Sequence, residues 1–167
     1  MKIYLAGPDI FRPDVDDWIA NARELCRQHG FEALTPFDHG ETEPRKILNG
    51  NLELIRKAQI VVANLNPFRG FEPDSGTAWE IGFALALGKP VVAYLADVRP
   101  LAEKLSAATA VSGPSAPQPR DPNGFLIEDF GLPVNLMLAV PCRIVAGGLA
   151  EALAVVDGLP SLSRPVE

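Results

Sequence analysis

Cysteine and histidine are scarce in this chain, with two residues of each type among 167. Cys26 and Cys142 lie far apart and show no CxxC spacing, so we expect reduced thiols rather than a disulfide framework or a thiolate metal site. The signatures HExxH, GxSxG, GxGxxG and the complete P-loop are absent too. Zinc proteases, serine hydrolases with a nucleophile elbow and standard dinucleotide or P-loop sites are therefore disfavoured.

Long apolar runs and an excess of positive charge are lacking as well. No apolar segment approaches the roughly 18–20 residues of a membrane span, and the N-terminal sequence MKIYLAGPDI is typical of a buried strand rather than a signal peptide. Acidic residues outnumber basic ones by 21 to 15, for a net charge of −6. A protein that binds the nucleic-acid backbone would need a positive surface. We expect a cytoplasmic protein that binds neither membranes nor nucleic acids.

Disorder is disfavoured by the 47% share of hydrophobic residues, although the 16 prolines are about twice the usual share. Short apolar strand patterns alternate with helical periodicity along the chain. The predicted strands are residues 2–7, 31–35, 59–65, 90–95 and 142–146, and the predicted helices are 13–29, 45–58, 75–87, 99–108, 132–140 and 149–157. This alternation predicts an α/β fold, a flavodoxin-like three-layer sandwich with a five-stranded parallel sheet in the order 2-1-3-4-5.

The composition changes between residues 109 and 131, where Gly, Pro, Ser, Asn and Asp dominate. We expect a mobile Pro-rich loop at about 109–124 and a loose C-terminal tail at 160–167. Residues 1–159 are predicted to form one domain, because a chain of this length fits a single domain and shows no internal repeat.

The predicted helix 75–87 contains one unusual carboxylate. From Thr77 onward this helix is apolar on every face except at Glu80, which has no ion partner three or four residues away. A buried, unpaired carboxylate is unfavourable unless it is hydrogen-bonded or faces a cleft. Gly76 and Gly82 flank it and indicate the close approach of another group. Glu80 is therefore either a structural residue bonded to a backbone group or a tyrosine, or a functional carboxylate.

Asp74 precedes Glu80 by six residues, which would put the two on different sides of one continuous helix. They converge only if Asp74 lies in the loop before the helix, as Pro73 favours. Two interpretations of Asp74 follow. It is the N-cap of the helix, or it acts with Glu80 as one of two carboxylates that serve as nucleophile and acid/base at a glycosidic carbon.

Further candidates lie in the strands and helices around the carboxyl edge of the sheet, where ligands bind in such folds. Tyr4 lies inside the first strand. It is either part of such a site or a tyrosine of the hydrophobic core. Asp9 and Phe11 follow that strand, where both could contact a ligand. Otherwise Asp9 is a turn residue and Phe11 is a core aromatic. Asn51 and Asn135 lie in predicted helices, and both could contact a ligand. Otherwise Asn51 faces solvent and Asn135 caps a helix.

Four parts of the sequence, taken together, resemble the nucleoside 2-deoxyribosyltransferase family. They are IYLAGP at 3–8 with Phe11, NLELI at 51–55 with VANL at 62–65, FRGFEPDSGTAWEIG at 68–82, and FGLPVNLML at 130–138. The Asp-x5-Glu-x-Gly spacing and the Asn-Leu-Met sequence are the most specific parts. The resemblance covers nearly the whole chain, apart from the Pro-rich loop and the tail.

The resemblance implies an enzyme that exchanges the nucleobase of a 2′-deoxyribonucleoside with retention, through a glycosyl ester on Glu80. Asp74 would protonate or hold the leaving base, and Tyr4 would orient the Glu80 carboxylate. Phe11 and the backbone near Gly7 would pack on the base. The implied ligands are small-molecule nucleosides and free nucleobases, and no metal or organic cofactor is implied.

The remaining family positions concern hydrogen bonding and assembly. Many members carry Asp at the position of Asn51. An amide cannot act as an acid, so a hydrogen-bonding role is left for Asn51. Asn135 and Met137 match residues that reach into a neighbouring subunit's site near the sugar 5′-hydroxyl, so a homodimer or larger homo-oligomer is implied. Asp9 and Gly76 are further candidates for substrate contacts.

Two other functions stay open. An N-glycosidase would hydrolyse a nucleoside, or a deoxynucleoside 5′-monophosphate if it had a phosphate cradle. The residues after Gly7 contain no serine cluster, and Asp9 would repel phosphate, but Arg12 and Arg69 are near in sequence. The other alternative is a non-catalytic flavodoxin-like module, which would bind a nucleoside without turnover.

Overall fold

The structure, a computed structural model, describes residues 1–108 and 120–159. The strands are β1 (Lys2–Ala6), β2 (Glu32–Leu34), β3 (Ile60–Asn64), β4 (Val91–Leu95) and β5 (Arg143–Ala146). The helices are α1 (Val15–Gln28), α2 (Pro44–Lys57), α3 (Ser75–Ala86), α4 (Leu101–Ala108), α5 (Leu136–Ala139) and α6 (Leu149–Asp157), with a 3₁₀ helix at Pro8–Phe11. The strands form one parallel sheet in the order β2-β1-β3-β4-β5. The predicted fold class and strand order are confirmed.

The direction of strand progression reverses at β1, which pairs with β2 on one side and with β3 on the other. In the pairing register, Tyr4 of β1 lies opposite Leu34 and Val61. The chain passes from β1 to β2 on one side and from β3 to β4 on the other side. The two connections therefore diverge, and a crevice opens between β1 and β3 at the carboxyl edge of the sheet. This crevice is where the fold places a ligand site.

Helices cover both faces of the sheet, because successive residues of a strand point to opposite sides. The core on one face joins α2 and α3 to β1, β3 and β4, and includes Tyr4, Ile55, Val61, Ile81 and Leu95. The core on the other face joins α1 and α6 to the same strands, and includes Ile3, Cys26, Ile60, Val92 and Leu153. Tyr4 therefore points toward α2 and α3, which fixes the face on which the site lies.

The helix predicted at 132–140 is wrong in length, since α5 spans only Leu136–Ala139. Pro133 disfavours a helical conformation at the residue before it. Asn135 has a non-helical backbone and caps α5 by accepting a hydrogen bond from the backbone N of Met137 at 3.0 Å. The apolar periodicity before Asn135 therefore indicates burial rather than helix.

Most of the loop predicted at about 109–124, and all of the tail predicted at 160–167, lie outside the described residues. At the end of that loop, Arg120 and Leu126 form an isolated antiparallel bridge. No helix in the described part of the chain is long and apolar enough to cross a membrane. The same part contains no group of three or more His, Cys, Asp or Glu side chains placed to hold a metal ion.

Candidate active site

Glu80 lies in the second turn of α3, and only 9% of its surface is exposed. The hydroxyl of Tyr4 donates a hydrogen bond to Glu80 Oε1 at 2.6 Å. Asn51 Nδ2, from α2, donates to the same oxygen at 3.1 Å. Both hydrogen bonds that the described residues make to this carboxylate fall on Oε1. One oxygen is therefore held in place, and neither of these hydrogen bonds involves Oε2.

Burial raises the pKa of Glu80 to about 7, because desolvation penalises the charged form. The hydrogen bond from Tyr4 lowers the pKa of Glu80, the negative charge of Asp74 raises it, and the hydrogen bond from Asn51 lowers it. Burial, together with the charge of Glu80, also raises the pKa of Tyr4, so its hydroxyl stays protonated as a donor. Glu80 thus changes its charge near neutral pH, as catalytic carboxylates often do.

Asp74 occupies the N-cap of α3 and also influences Glu80. Its Oδ2 accepts hydrogen bonds from the backbone N of Thr77 at 2.9 Å and from Thr77 Oγ1 at 3.1 Å. A Cβ on Gly76 would lie 3.0 Å from the same oxygen, so glycine gives Asp74 room in this turn. The charge of Asp74 raises the pKa of Glu80, so the two carboxylates lie close enough to interact. Asp74 comes from the N-cap before α3, and Glu80 comes from the helix itself. The capping role and a position near Glu80 therefore coexist.

The turn after β1 is held by a buried carboxylate. Asn64 Nδ2, at the end of β3, donates to Asp9 Oδ2 at 2.9 Å, and Asp9 is 8% exposed. Gly7 fits between them, because a Cβ there would lie 2.7 Å from Asp9 Oδ2 and 2.9 Å from Asn64 Cβ. The Asp9 carboxylate is therefore engaged inside the turn, which it ties to β3.

An aromatic and cationic platform lies beside this turn. Phe11 is 54% exposed and stacks on Phe68, with ring centroids 5.3 Å apart. The guanidinium of Arg69 lies 5.0 Å from the Phe11 centroid and 4.6 Å from the Phe68 centroid, within cation–π range. Such a surface suits the flat face of a nucleobase and, at Arg69, a negatively charged group.

A family model described as nucleoside 2-deoxyribosyltransferase matches residues 3–137, which include every site residue described so far. The chain belongs to this family. Its most specific sequence features, the carboxylate pair before Gly82 and the Asn-Leu-Met sequence, lie within the matched residues.

Known relatives of this deoxyribosyltransferase-family chain point to chemistry on nucleosides. A solved 2-desoxiribosyltransferase from Leishmania mexicana is 35% identical with a TM-score of 0.78, and the match covers 94% of this chain and 97% of that chain. An uncharacterized protein from Schizosaccharomyces pombe is 27% identical over 173 residues, which are 92% of this chain and 82% of the relative. A Thermofilum pendens protein named "Putative 2'-deoxynucleoside 5'-phosphate N-hydrolase 1" is 30% identical over 122 residues, 66% of this chain and 76% of the relative.

Asn135 and Met137, which also belong to the family pattern, are engaged elsewhere in the single chain. Asn135 Nδ2 donates to Glu128 Oε1 at 2.7 Å, and the backbone N of Leu136 donates to Glu128 Oε2 at 3.0 Å. Met137 is 72% exposed. The structure therefore gives Asn135 its capping position and links neither residue to the hydrogen bonds around Glu80.

Sequence reasoning overlooked His39, whose Nε2 lies 3.0 Å from Asn51 Oδ1. His39 follows β2 at the carboxyl edge of the sheet and is one of two histidines in the chain. The same strand-end rule that selected Asp9 and Phe11 would have selected it. Asn64, which ends β3 and binds Asp9, lies within the family segment VANL at 62–65, but the sequence assigned it no role of its own.

Proposed function

We propose that this protein is a nucleoside 2-deoxyribosyltransferase that exchanges the nucleobase of a 2′-deoxyribonucleoside through a covalent intermediate on Glu80. The observation that carries the proposal is that Tyr4 and Asn51 both donate to one oxygen of this buried carboxylate. Two donors on Oε1 orient the group and leave Oε2 as the nucleophile. Membership of the family and the 35% identity to the Leishmania mexicana enzyme support the reaction class.

In the first half-reaction, Oε2 of ionised Glu80 attacks C1′ of the deoxyribose while the bond from C1′ to the base nitrogen breaks. The electron pair of that bond leaves with the base, and Asp74, which must enter this step protonated, donates its proton to the base nitrogen and becomes a carboxylate. The transition state resembles an oxocarbenium ion, so the carboxylates near C1′ stabilise the developing positive charge.

In the second half-reaction, a new base attacks C1′ from the face that the first base left. Its N–H proton passes back to Asp74, the bond between C1′ and Oε2 breaks, and the Glu80 carboxylate is restored. Two inversions at C1′ give net retention. The two carboxylates supply both the nucleophile and the acid/base group, and the proposal includes no metal or organic cofactor.

The base is assigned to the crevice between the β1 turn and the start of α3. Phe11 offers an exposed aromatic ring there, which fits the role of packing on the base. We assign the backbone at Gly7 and at Gly76 to the borders of the same crevice, because each glycine allows a carboxylate beside it, Asp9 or Asp74, to pack closely on the backbone. Asp9 contributes indirectly, since its bond to Asn64 ties down the turn that carries Phe11.

The proposed active unit is a homodimer or a larger homo-oligomer, in which Asn135 and Met137 approach the sugar site of a neighbouring subunit. Met137 is 72% exposed and Trp79, on α3, is 51% exposed in the single chain. A helix that is apolar on every face is usually covered on every face. A second subunit that covered this side would bury both residues.

Hydrolysis is the second candidate, favoured by the relative named as a deoxynucleotide N-hydrolase and by the position of Arg69 beside Phe11. If water attacks the glycosyl ester, the product is a free sugar. If the substrate is a 5′-monophosphate, Arg69 offers a positive charge to the phosphate. The inward orientation of Asp9 reduces the repulsion of phosphate that the sequence had suggested.

Base exchange is measured with 2′-deoxyinosine and adenine, and parallel reactions contain 2′-deoxyinosine alone or its 5′-monophosphate alone. Chromatography follows the nucleosides, the bases and the free sugars. Exchange that is faster than sugar release supports the transferase. Sugar release without exchange supports the hydrolase, and binding without turnover supports a non-catalytic module.

In the same assay, we expect Glu80→Ala to lower the exchange rate by at least about a thousandfold, because it removes the nucleophile. The matched control is Glu53→Ala, which removes an exposed glutamate of α2 that pairs with Arg56. It should exchange bases at the wild-type rate. Full activity of the Glu80 variant would contradict the covalent mechanism.

A further inference from the structure

A continuous set of hydrogen bonds leads from a backbone amide to the Glu80 carboxylate. The backbone N of Glu41 donates to His39 Nδ1 at 3.0 Å. His39 Nε2 lies 3.0 Å from Asn51 Oδ1, and Asn51 Nδ2 donates to Glu80 Oε1 at 3.1 Å. Among the hydrogen bonds of the described residues, His39 is linked to Glu80 through Asn51.

The hydrogen bond from Glu41 determines which group donates and which accepts in each of the following hydrogen bonds. A backbone N–H can only donate, so the His39 Nδ1 that faces Glu41 must be unprotonated. A neutral imidazole then carries its proton on Nε2 and donates it to Asn51. The amide oxygen of Asn51 therefore faces His39, and its NH₂ group must face Glu80. With the opposite amide orientation, two oxygens would face each other at Glu80 Oε1.

The chain also provides space for His39 in this position. A Cβ on Gly50, in α2, would lie 2.4 Å from His39 Cδ2 and 2.5 Å from Cγ. No real side chain tolerates such a contact without movement of the ring. Gly50 therefore lets the imidazole pack directly on α2, next to Asn51, although glycine weakens a helix interior. The sequence contains both parts of the arrangement, the ring and the gap that admits it.

We propose that His39 is a positioning residue for glycosyl transfer: it holds the Asn51 amide with its nitrogen toward Glu80, so that Oε1 is bound and Oε2 faces the substrate. The inference rests on the proposed role of Glu80 as the nucleophile. In the described part of the chain, the hydrogen bonds of His39 join it to Asn51 and to the backbone of Glu41, so His39 acts on Glu80 through Asn51.

The pKa of Glu80 should depend on His39, because His39 orients Asn51, which donates a hydrogen bond to the Glu80 carboxylate. The groups that influence this carboxyl are Tyr4 and Asn51, which donate to it, and Asp74, whose charge repels it. The carboxylate of Asp38 acts in turn on Tyr4. If His39 no longer orients Asn51, a donor to the charged form of Glu80 is lost and the pKa of Glu80 rises. A structural role for His39 would leave that pKa unchanged.

The experiment is an NMR titration of the ¹³C-labelled Glu80 carboxyl, assigned by its absence in Glu80→Gln. The variants are His39→Phe, which keeps a ring without nitrogens, and His39→Gln, whose amide can accept from Glu41 and donate to Asn51. Gly50→Ala is a second way to displace the ring. His39→Phe is also measured in an Asn51→Ala background.

We expect His39→Phe and Gly50→Ala to raise the pKa of Glu80 by about half a pH unit to one pH unit, as the loss of one hydrogen bond would. His39→Gln should keep the wild-type value. In the Asn51→Ala background, His39→Phe should produce no additional change. An unchanged pKa in His39→Phe, or an equal change with and without Asn51, would overturn the proposal.

The titration requires no turnover, so it separates this inference from the proposed function. If the wild-type protein exchanges no bases, the function fails while the titration still decides the role of His39. If it does exchange bases, the acid limb of the kcat/KM profile should move to higher pH in His39→Phe, and His39→Gln should restore it. A change in KM alone, with no movement of that limb, would mean that His39 contacts the base directly and would overturn the positioning role.

Discussion

Glu80 combines two opposing demands, burial against the sheet and ionisation for attack on a sugar carbon. Burial raises its pKa from 4.5 to about 7, even though Tyr4 and Asn51 stabilise the charged form. A difference of that size corresponds to about 3 kcal/mol of folding free energy at high pH. The protein therefore sacrifices stability at this residue to keep a reactive carboxylate.

This cost predicts a pH-dependent effect of Glu80→Gln. A carboxyl whose pKa is higher in the folded state contributes fully to stability below about pH 4.5, and the contribution is lost as the pH rises through 7. The amide resembles the protonated acid and accepts the same hydrogen bonds at all pH values. We expect the variant to gain up to about 3 kcal/mol over wild type between pH 5 and pH 8. Urea unfolding at the two pH values measures the gain.

The control for this prediction is Glu53→Gln, which replaces an exposed glutamate of α2. Its difference from wild type should be the same at pH 5 and pH 8, apart from a small surface ion-pair effect. If Glu80→Gln also shows the same difference at both pH values, then burial does not raise the pKa of Glu80 in solution.

The sequence indicated Glu80 because a single carboxylate in an apolar helix has no local partner, and it indicated Tyr4 as a possible hydrogen-bonding tyrosine. The position of His39 after a strand could have marked it as a residue near the site, but its contact with Asn51 could not be foreseen, because that contact lies twelve residues away in α2 and depends on the gap at Gly50. Periodicity describes which face of an element is buried. It carries no information about a loop side chain that folds back onto a helix.

At the scale of elements, the start of α3 combines a structural and a chemical role in one residue. Asp74 caps the helix through Thr77, and its charge acts on Glu80, six residues later in the chain. Removal of Asp74 therefore changes stability and chemistry together. Two substitutions at the same position separate the effects.

We expect Asp74→Ala to lower the free energy of unfolding by about 1 kcal/mol, because the N-cap is lost, whereas Asp74→Asn keeps a capping oxygen and stays near wild type. Both variants should slow base exchange, because both lack the acid. Both should also move the acid limb of kcat/KM to lower pH, because the charge that raises the pKa of Glu80 is gone. Thermal unfolding and pH–rate profiles measure these effects.

Each outcome has a distinct meaning for Asp74. Full exchange activity in Asp74→Asn would contradict the acid role while leaving the cap intact. Equal stability of Asp74→Ala and wild type would contradict the contribution of the cap. An acid limb that stays in place in both variants would contradict the charge coupling to Glu80.

The elements themselves followed from the sequence where local and long-range signals agree. The last helix begins and ends at the predicted residues, Leu149 and Asp157, and the first four residues of β3 form a continuous apolar run of mostly β-branched residues. The prediction failed at α5, where Pro133 and the capping side chain of Asn135 outweigh an apolar pattern. Short elements depend on single caps and turns, which periodicity does not detect.

At the scale of the whole molecule, the single chain leaves apolar side chains exposed on the α3 side of the sheet. Trp79 is 51% exposed, Met137 is 72% exposed and Val140 is 71% exposed. α3 and α5 both contribute to the core on that side, so these residues lie over the same face. Large exposed apolar surfaces commonly mark protein contacts, and the proposed shared site requires one here.

We expect Met137→Glu to leave the fold of the single chain intact, because this side chain is exposed, but to shift the protein toward monomers and to reduce base exchange in parallel. A buried, unpaired charge at an interface would oppose association. Light scattering after size exclusion gives the mass, and circular dichroism checks the fold. The matched control, Ala20→Glu, adds the same charge to an exposed position of α1 on the opposite face and should change neither mass nor rate. A monomeric wild type with full activity, or a Met137→Glu variant that keeps both its mass and its rate, would contradict the shared site.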